Sequence, residues 1–276
     1  MKKLLKLLRK NANSKNKETG MKERYAIFLD IDNTLMSGGI IPQKNIDAIK
    51  KARENGNYVF VNTARSYAFI PDMLKDDTLM DGYVAGIGTD LRLHGEQIFS
   101  KTMTRDELKF IGSHFVNDTR EISFEGEDHM IWINPEARRN QVEYLLSSPD
   151  EFDTVYKDFK ISKMYVRGQL TNEEREIFGK DYILYQHKEY AEFVQKGYGK
   201  AVGMKMMTEH LGIPAENCIA MGDSSNDTDM LTAAGISVAM GNAIPEIKEI
   251  CDYISCDAAD GGVAQAIEKY LFKETV

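Results

Sequence analysis

Tyr25-Ala26-Ile27-Phe28-Leu29 is an unbroken apolar run that stops at Asp30-Ile31-Asp32-Asn33-Thr34-Leu35. A short apolar stretch bounded by turn-forming residues reads as a strand covered on both faces. Residues 42–55 follow with Ile46, Ile49 and Ala52 on one helical face, and Gly56 suits the stop. Tyr58-Val59-Phe60-Val61 predicts a second strand, ending at Asn62-Thr63-Ala64-Arg65, and residues 82–87 predict a third. This alternation of strand and helix predicts a parallel α/β sheet.

From about residue 88 to 187 the rhythm changes. Helical patterns at 105–115, 136–146 and 171–178 are separated by short strands near 122–124, 130–133, 163–167 and 182–185. That mixture predicts an α+β unit with antiparallel pairing. After residue 189 the first rhythm returns: a helix over 199–211, a strand over 218–221 and a helix over 227–234. Strands at 236–239 and 253–254 and a helix over 263–271 close the pattern. The fold class is therefore α/β, a doubly wound, mostly parallel sheet interrupted by an insertion. The expected division is a basic leader at 1–20, a core from 21–87 and 188–276, and an inserted unit at 88–187.

With 276 residues the chain is long enough for two packed units. A net charge of −8 argues against a general nucleic-acid binder. Cys218, Cys251 and Cys256 form no Cys-x-x-Cys pair, which fits a reducing cytoplasm better than a disulfide scaffold or a structural zinc. No apolar run approaches the roughly 20 residues that cross a bilayer. The first twenty residues carry seven basic side chains against Glu18 alone, with Leu4, Leu5, Leu7 and Leu8 among them. Residues 1–10 read either as weak surface attachment to anionic lipid or as a disordered leader, or a start set upstream of Met21; so short a helix is marginal alone.

Two carboxylates, Asp30 and Asp32, stand at the carboxyl end of the first strand, where open α/β sheets place ligands. If the strand continues they point the same way, so one can attack while the other handles a proton. Gly222-Asp223-Ser224-Ser225-Asn226-Asp227 follows another strand, and its Asp223 can reach the same ion. Ser, Asn and Asp also cap helices, but two acidic strand ends with no nearby compensating base favour the metal reading. Thr63 can donate its hydroxyl, and the next amide can donate too, to a phosphate oxygen, or it can cap a helix; Lys200 opens a helix and alone reads as a surface lysine. Phosphoryl transfer needs a nucleophile, cations on the phosphate oxygens and a proton donor for the leaving group.

Taken together, Phe28-Leu29-Asp30-Ile31-Asp32-Asn33-Thr34-Leu35, then Asn62-Thr63-Ala64-Arg65, Gly197-Tyr198-Gly199-Lys200 and Met221-Gly222-Asp223-Ser224-Ser225-Asn226-Asp227 resemble the four motifs of the haloacid dehalogenase superfamily. The resemblance runs from Tyr25 to the C-terminus. An insertion between the second and third motifs is similar to the Cof-type subgroup, with a Rossmann-like core and an α/β cap. Ala239-Met240-Gly241-Asn242-Ala243 and Asp260-Gly261-Gly262-Val263 also look like that subgroup. Asn33 stands where Gly is usual, Ala64 where Gly is usual, and Gly88-Thr89-Asp90 where Asn-Gly-Ala is usual.

The resemblance implies that Asp30 is the nucleophile, forming an aspartyl-phosphate, and that Asp32 is the general acid and then the base. It implies Mg²⁺ held by Asp30, the Asp32 backbone carbonyl and Asp223, with Asp227 acting through water or by orienting those ligands. Thr63, the Ala64 amide, Lys200 and Asn226 would hold the phosphate. Arg65 is expected to be structural, pairing an acid, with no catalytic role. Trp132, His94 and His129 fit core packing or a solvated loop better than the substrate. The expected activity is hydrolysis of small, sugar-phosphate-like metabolites. A phosphotransferase or phosphomutase using the same aspartate, and a non-catalytic metal- or ligand-binding module, stay open. Oligomeric state is not legible in the sequence.

Overall fold

The computed structural model describes residues 24–135 and 143–272. Its first stretch runs β1 (Ala26–Leu29), α1 (Gln43–Glu54), β2 (Tyr58–Asn62), β3 (Gly82–Ala85), β4 (Asp90–Leu93) and β5 (Glu96–Ser100). The middle stretch runs α2 (Arg105–Phe115), β6 (Ile122–Gly126), β7 (Met130–Ile133), β8 (Tyr144–Leu145), β9 (Ile161–Arg167), α3 (Asn172–Phe178), β10 (Tyr182–Gln186) and β11 (Tyr190–Gln195). The last runs α4 (Lys200–Leu211), β12 (Cys218–Gly222), α5 (Thr228–Ala233), β13 (Ile236–Ala239), α6 (Pro245–Ile250), β14 (Tyr253–Ile254) and α7 (Gly262–Ile267).

One sheet has the order β14-β13-β12-β1-β2-β3-β4-β5. From β14 to β3 every neighbour is parallel, and β4 and β5 extend the edge as an antiparallel hairpin. Alternation along the central strands feeds two cores. Ile27 and Leu29 of β1, with Val59 and Val61 of β2, pack under Ile49 and Ala52 of α1 and Val263 and Ile267 of α7. Ala26, Phe28 and Phe60 face the opposite way, toward Met204 and Met207 of α4 and Met230 and Leu231 of α5. Helices on both faces of a parallel sheet define the doubly wound fold.

The second sheet has the order β10-β11-β9-β6-β7-β8, antiparallel except where β8 joins β7. Only one face is apolar. Ile122, Phe124, Met164, Val166 and Phe193 pack against Leu108, Ile111 and Phe115 of α2 and Phe178 of α3. Thr104 and Glu107 close a capping box at the start of α2, and Thr171 and Glu174 close one at α3.

Several elements differ from expectation. Position 88 falls before β4 and β5, which belong to the first sheet, and position 187 falls before β11, which belongs to the second. Asp90-Leu91-Arg92-Leu93 hides a strand because Asp90 is buried against Arg92 and Gln97. The helix expected at 136–146 is a strand at Tyr144–Leu145, and its residues 136–142 lie outside the described residues, as does the whole basic leader. The helix α6, opened by Pro245, carries no strong periodic signal and escaped the sequence reading. The final helix ends at Ile267 and continues as one wider π turn over Glu268–Phe272. All three cysteines are free thiols. Among the described residues no helix is long and apolar enough to cross a membrane.

Candidate active site

The carboxyl ends of β1, β2 and β12 meet beside the second sheet and enclose a cavity of about 490 Å³. Asp30 follows β1 directly, and its amide donates to the Met221 carbonyl at 3.1 Å, holding the two strand ends together. The strand does not continue to Asp32, as the sequence suggested it could. The chain turns at Ile31, and Asn33 takes a left-handed conformation at φ 56°, which Asn tolerates better than other side chains. Asp30 is therefore buried while the Asp32 side chain is 58% exposed, yet both line the one cavity. Arg65 grips Asp32 with two hydrogen bonds of 2.8 Å, Nε to Oδ2 and Nη2 to Oδ1. This fulfils the expectation that Arg65 pairs an acid, and the acid is the one expected to handle protons.

Asp30, Asp223 and Asp227 bring carboxylate oxygens within 4.8 Å of one another, all buried. The Lys200 ammonium, fully buried at the first position of α4, donates to Asp30 Oδ1 at 2.7 Å and to Asp227 Oδ1 at 2.6 Å. Asp227 Oδ2 accepts from the amides of Asp223 and Ser224 at 3.0 and 3.1 Å. Both oxygens of Asp227 are thus committed to holding Lys200 and the 223–224 turn. Gly222 is required there: a Cβ would stand 2.5 Å from Asp227 Cγ. Thr34 donates its hydroxyl to Asp223 Oδ1 at 3.1 Å, a support the sequence reading gave no role.

Burial pushes the Asp30 carboxyl up to about 8, with repulsion from Asp227 and Asp223 adding to it and Lys200 opposing it. Burial and then the neighbouring Asp227 raise Asp223 to about 6. The buried acids hold more negative charge than Lys200 alone offsets. Lys200 itself is held firmly protonated: burial opposes its charge, and Asp227 and Asp30 outweigh that.

Thr63 is buried after β2, and its Oγ1 accepts from the Arg65 amide at 3.1 Å, leaving the hydroxyl proton free to donate. The loop at 86–88 braces it from behind: the amides of Gly86 and Ile87 donate to the carbonyls of Arg65 and Thr63. Gly86, Ile87 and Gly88 all lie at positive φ, and for a β-branched Ile87 this is strained backbone beside the site. Asn226 turns its Oδ1 toward Ser224 Oγ at 2.9 Å and Lys200 Nζ at 3.5 Å. Asp30, Asp32, Thr63, Ala64, Asp223 and Asn226 all line the cavity, with Lys200 beneath Asp30. His94, His129 and Trp132 do not. His129 stacks on Phe159 at 4.1 Å and Trp132 is buried.

The opposite wall comes from the second sheet and was missed from the sequence. Glu125 of β6, Lys163 and Tyr165 of β9, Tyr190 and Glu192 of β11, and His187 face the carboxylates across the cavity. Lys163 also crosses to the first sheet's loop, donating to the Ala64 carbonyl at 2.8 Å.

Acidic strand ends gathered around one buried lysine, set on a doubly wound sheet, define a phosphoryl-handling class of α/β enzyme. A family model described as haloacid dehalogenase-like hydrolase matches residues 27–267. The 5-amino-6-(5-phospho-D-ribitylamino)uracil phosphatase YitU of Bacillus subtilis is 39% identical over 270 residues, covering 90% of this chain and 97% of that protein. The Bacillus subtilis phosphatase YcsE, named for the same substrate, is 27% identical and covers 89% of this chain and 95% of its own. A solved structure described as a sugar phosphatase of subclass IIB superposes with a TM-score of 0.76 at 25% identity, over 89% of this chain and 98% of that one. The chain belongs to the haloacid dehalogenase-like hydrolases. Within that family it is a phosphatase.

Proposed function

We propose that the chain hydrolyses small phosphorylated metabolites through Asp30, with Mg²⁺ as its cofactor. The observation that carries this is the arrangement of Asp30 itself. Its Oδ1 is held by Lys200, while among the described residues no side chain takes Oδ2, which leaves that oxygen to attack phosphorus from the cavity side. Attack forms the Oδ2–P bond and breaks the bond to the leaving oxygen, which takes a proton from Asp32. Asp32, now a carboxylate, takes a proton from the water that attacks the aspartyl-phosphate, releasing inorganic phosphate and restoring Asp30. The Thr63 hydroxyl, the Ala64 amide, Lys200 and Asn226 hold the phosphate oxygens.

The donor set fits a hard divalent cation: all its oxygens are carboxylate or carbonyl, and the charge of Asp30 and Asp223 is incompletely offset. The Asp30 carboxylate, the Asp32 backbone carbonyl and Asp223 would hold the ion, and Asp227 would fix Lys200 and the 223–224 turn rather than ligate it. When bound, the ion screens the repulsion between Asp30 and the phosphate dianion.

The second sheet serves as the cap, excluding bulk water while Lys163 joins it to the Ala64 loop. Sheet membership supports a cap beginning after β5 and ending with β11, rather than at 88 and 187. The relatives named for a phosphoribitylamino-uracil, and the sugar phosphatase, support a phosphorylated polyol or sugar as substrate. A cavity of about 490 Å³ suits a molecule of that size. Three free thiols support a reducing, cytoplasmic setting. Assay of Asp30→Asn against an aryl phosphate with Mg²⁺ tests the reading: turnover should vanish, and undiminished turnover defeats it.

A further inference from the structure

The wall supplied by β6, β9 and β11 carries charges that the chemistry at Asp30 does not use. Sheet register places Glu125 directly opposite Lys163, and Glu192, opposite Tyr165 on the next strand, diagonally across from it. Lys163 is buried and all three of its ammonium protons have a claimant: the Ala64 carbonyl at 2.8 Å, Glu192 within hydrogen-bond reach, and Glu125 at 3.4 Å. The other cation lining the cavity, Arg65, commits three of its five N–H groups, two to Asp32 and one to the Phe69 carbonyl at 3.0 Å.

Acceptors, by contrast, are left over. Glu192 is 5% exposed, and its Oε2 has no hydrogen-bond partner. His187 Nε2 lies 3.4 Å from that oxygen without hydrogen-bond geometry and is also unpartnered. Unpartnered atoms this deeply buried are uncommon in native proteins and mark a place where a ligand or water belongs. Burial opposes the Glu192 charge, yet Lys163 outweighs it and holds the carboxyl down at about 2, so the group is an anion at neutral pH. His187 stacks on Tyr190 at 4.3 Å, giving the wall a flat apolar flank.

Resting on the phosphatase reading above, we propose that Glu192, with Glu125 and Lys163, is the subsite for the leaving group. It takes an uncharged chain rich in hydroxyl donors and refuses one that carries a second anion. A hydroxyl donates to the vacant Glu192 oxygen and fills it; a carboxylate there meets two acids, and the Lys163 between them has no proton to spare. Specificity thus arises as much from exclusion as from attraction.

Two substrate pairs test this with the intact wild-type protein and Mg²⁺: glucitol 6-phosphate against 6-phosphogluconate, and erythritol 4-phosphate against 4-phosphoerythronate. Each pair differs only in a terminal hydroxymethyl or carboxylate. The expected result is a kcat/KM at least fivefold higher for the neutral member of at least one pair, expressed mainly in KM. Glu192→Gln, or Glu125→Gln should the first fail to fold, is expected to reduce that ratio by half or more. Ratios below fivefold in both pairs overturn the proposal, because water alone then satisfies the wall. So does a ratio that survives charge removal. An aryl phosphate assayed in parallel separates the two levels. Its hydrolysis without discrimination sinks only the subsite, whereas no hydrolysis of it sinks the phosphatase reading and the subsite together.

Discussion

Arg65 binds Asp32 through two parallel hydrogen bonds of 2.8 Å, although the two residues are 33 positions apart and the Asp32 side chain is 58% exposed. The turn at Asn33 frees Asp32 from the strand, so Arg65 is what aims it. An ion pair this exposed contributes little to stability, about 0–1 kcal/mol. Its planar fork matters for orientation, and lysine cannot reproduce it. Arg65→Lys should therefore lower kcat roughly tenfold or more while leaving KM and the unfolding free energy nearly unchanged. Steady-state kinetics with a urea titration checks this. An unaltered kcat would mean that Asp32 needs no such guide.

Lys200 faces the opposite situation, with no exposure to dilute its effect. Its ammonium ties Asp30 to Asp227, and Asp227 is fully buried. Removing one member of a buried charge pair costs about 3–5 kcal/mol, because the remaining charge stays out of water uncompensated. Lys200→Met keeps the stem's volume and should show that loss at pH 7 without divalent ions, together with loss of turnover. A destabilisation under about 1 kcal/mol would show that something else offsets the carboxylates.

The two walls of the cavity were unequally legible in the sequence. Asp30 and Asp223 each stand at the end of an apolar run that reads as a buried strand, with Asp32 two residues past the first, and the pair gained weight only from the motifs that follow. Lys200, Thr63 and Asn226 became legible through their order along the chain. Glu125, Lys163 and Glu192 gave no such sign. Charged residues alternating with apolar ones on a strand read as a solvated face, and only the register of β6, β9 and β11 turns that face toward the cavity. The β4–β5 hairpin was hidden for a related reason, since Asp90 is a buried acid whose partner, Arg92, lies two residues on.

Glu192 also predicts a pH dependence. Its folded carboxyl sits at about 2, below the ordinary value of 4.5, because Lys163 outweighs the cost of burial. A depressed acid contributes stability above its unfolded value and loses it as pH falls through 4.5 toward 2. The free-energy gap between wild type and Glu192→Gln should be widest near pH 6 and shrink progressively on acidification. A gap that stays constant from pH 6 down to pH 2.5 would mean that the pairing with Lys163 does not stabilise the charged form. Chemical denaturation at fixed temperature across that range supplies the comparison.

Gly222 is the point where the acidic turn has no slack. An added Cβ would lie 2.5 Å from Asp227 Cγ and 2.6 Å from its Oδ2. Asp227 cannot retreat without releasing Lys200 and the amides of Asp223 and Ser224. Gly222→Ala should therefore cost about 1–3 kcal/mol, the range for overpacking a filled interior, and should depress turnover by displacing Asp223. The cause can be isolated by a cycle with Asp227→Gly, which removes the whole side chain, including the Cβ at 2.7 Å from the added methyl. In that background the added methyl has room, and its further cost should fall below about 0.5 kcal/mol, a strongly non-additive result. Equal costs in both backgrounds would place the penalty in the backbone of the turn instead of in the contact with Asp227.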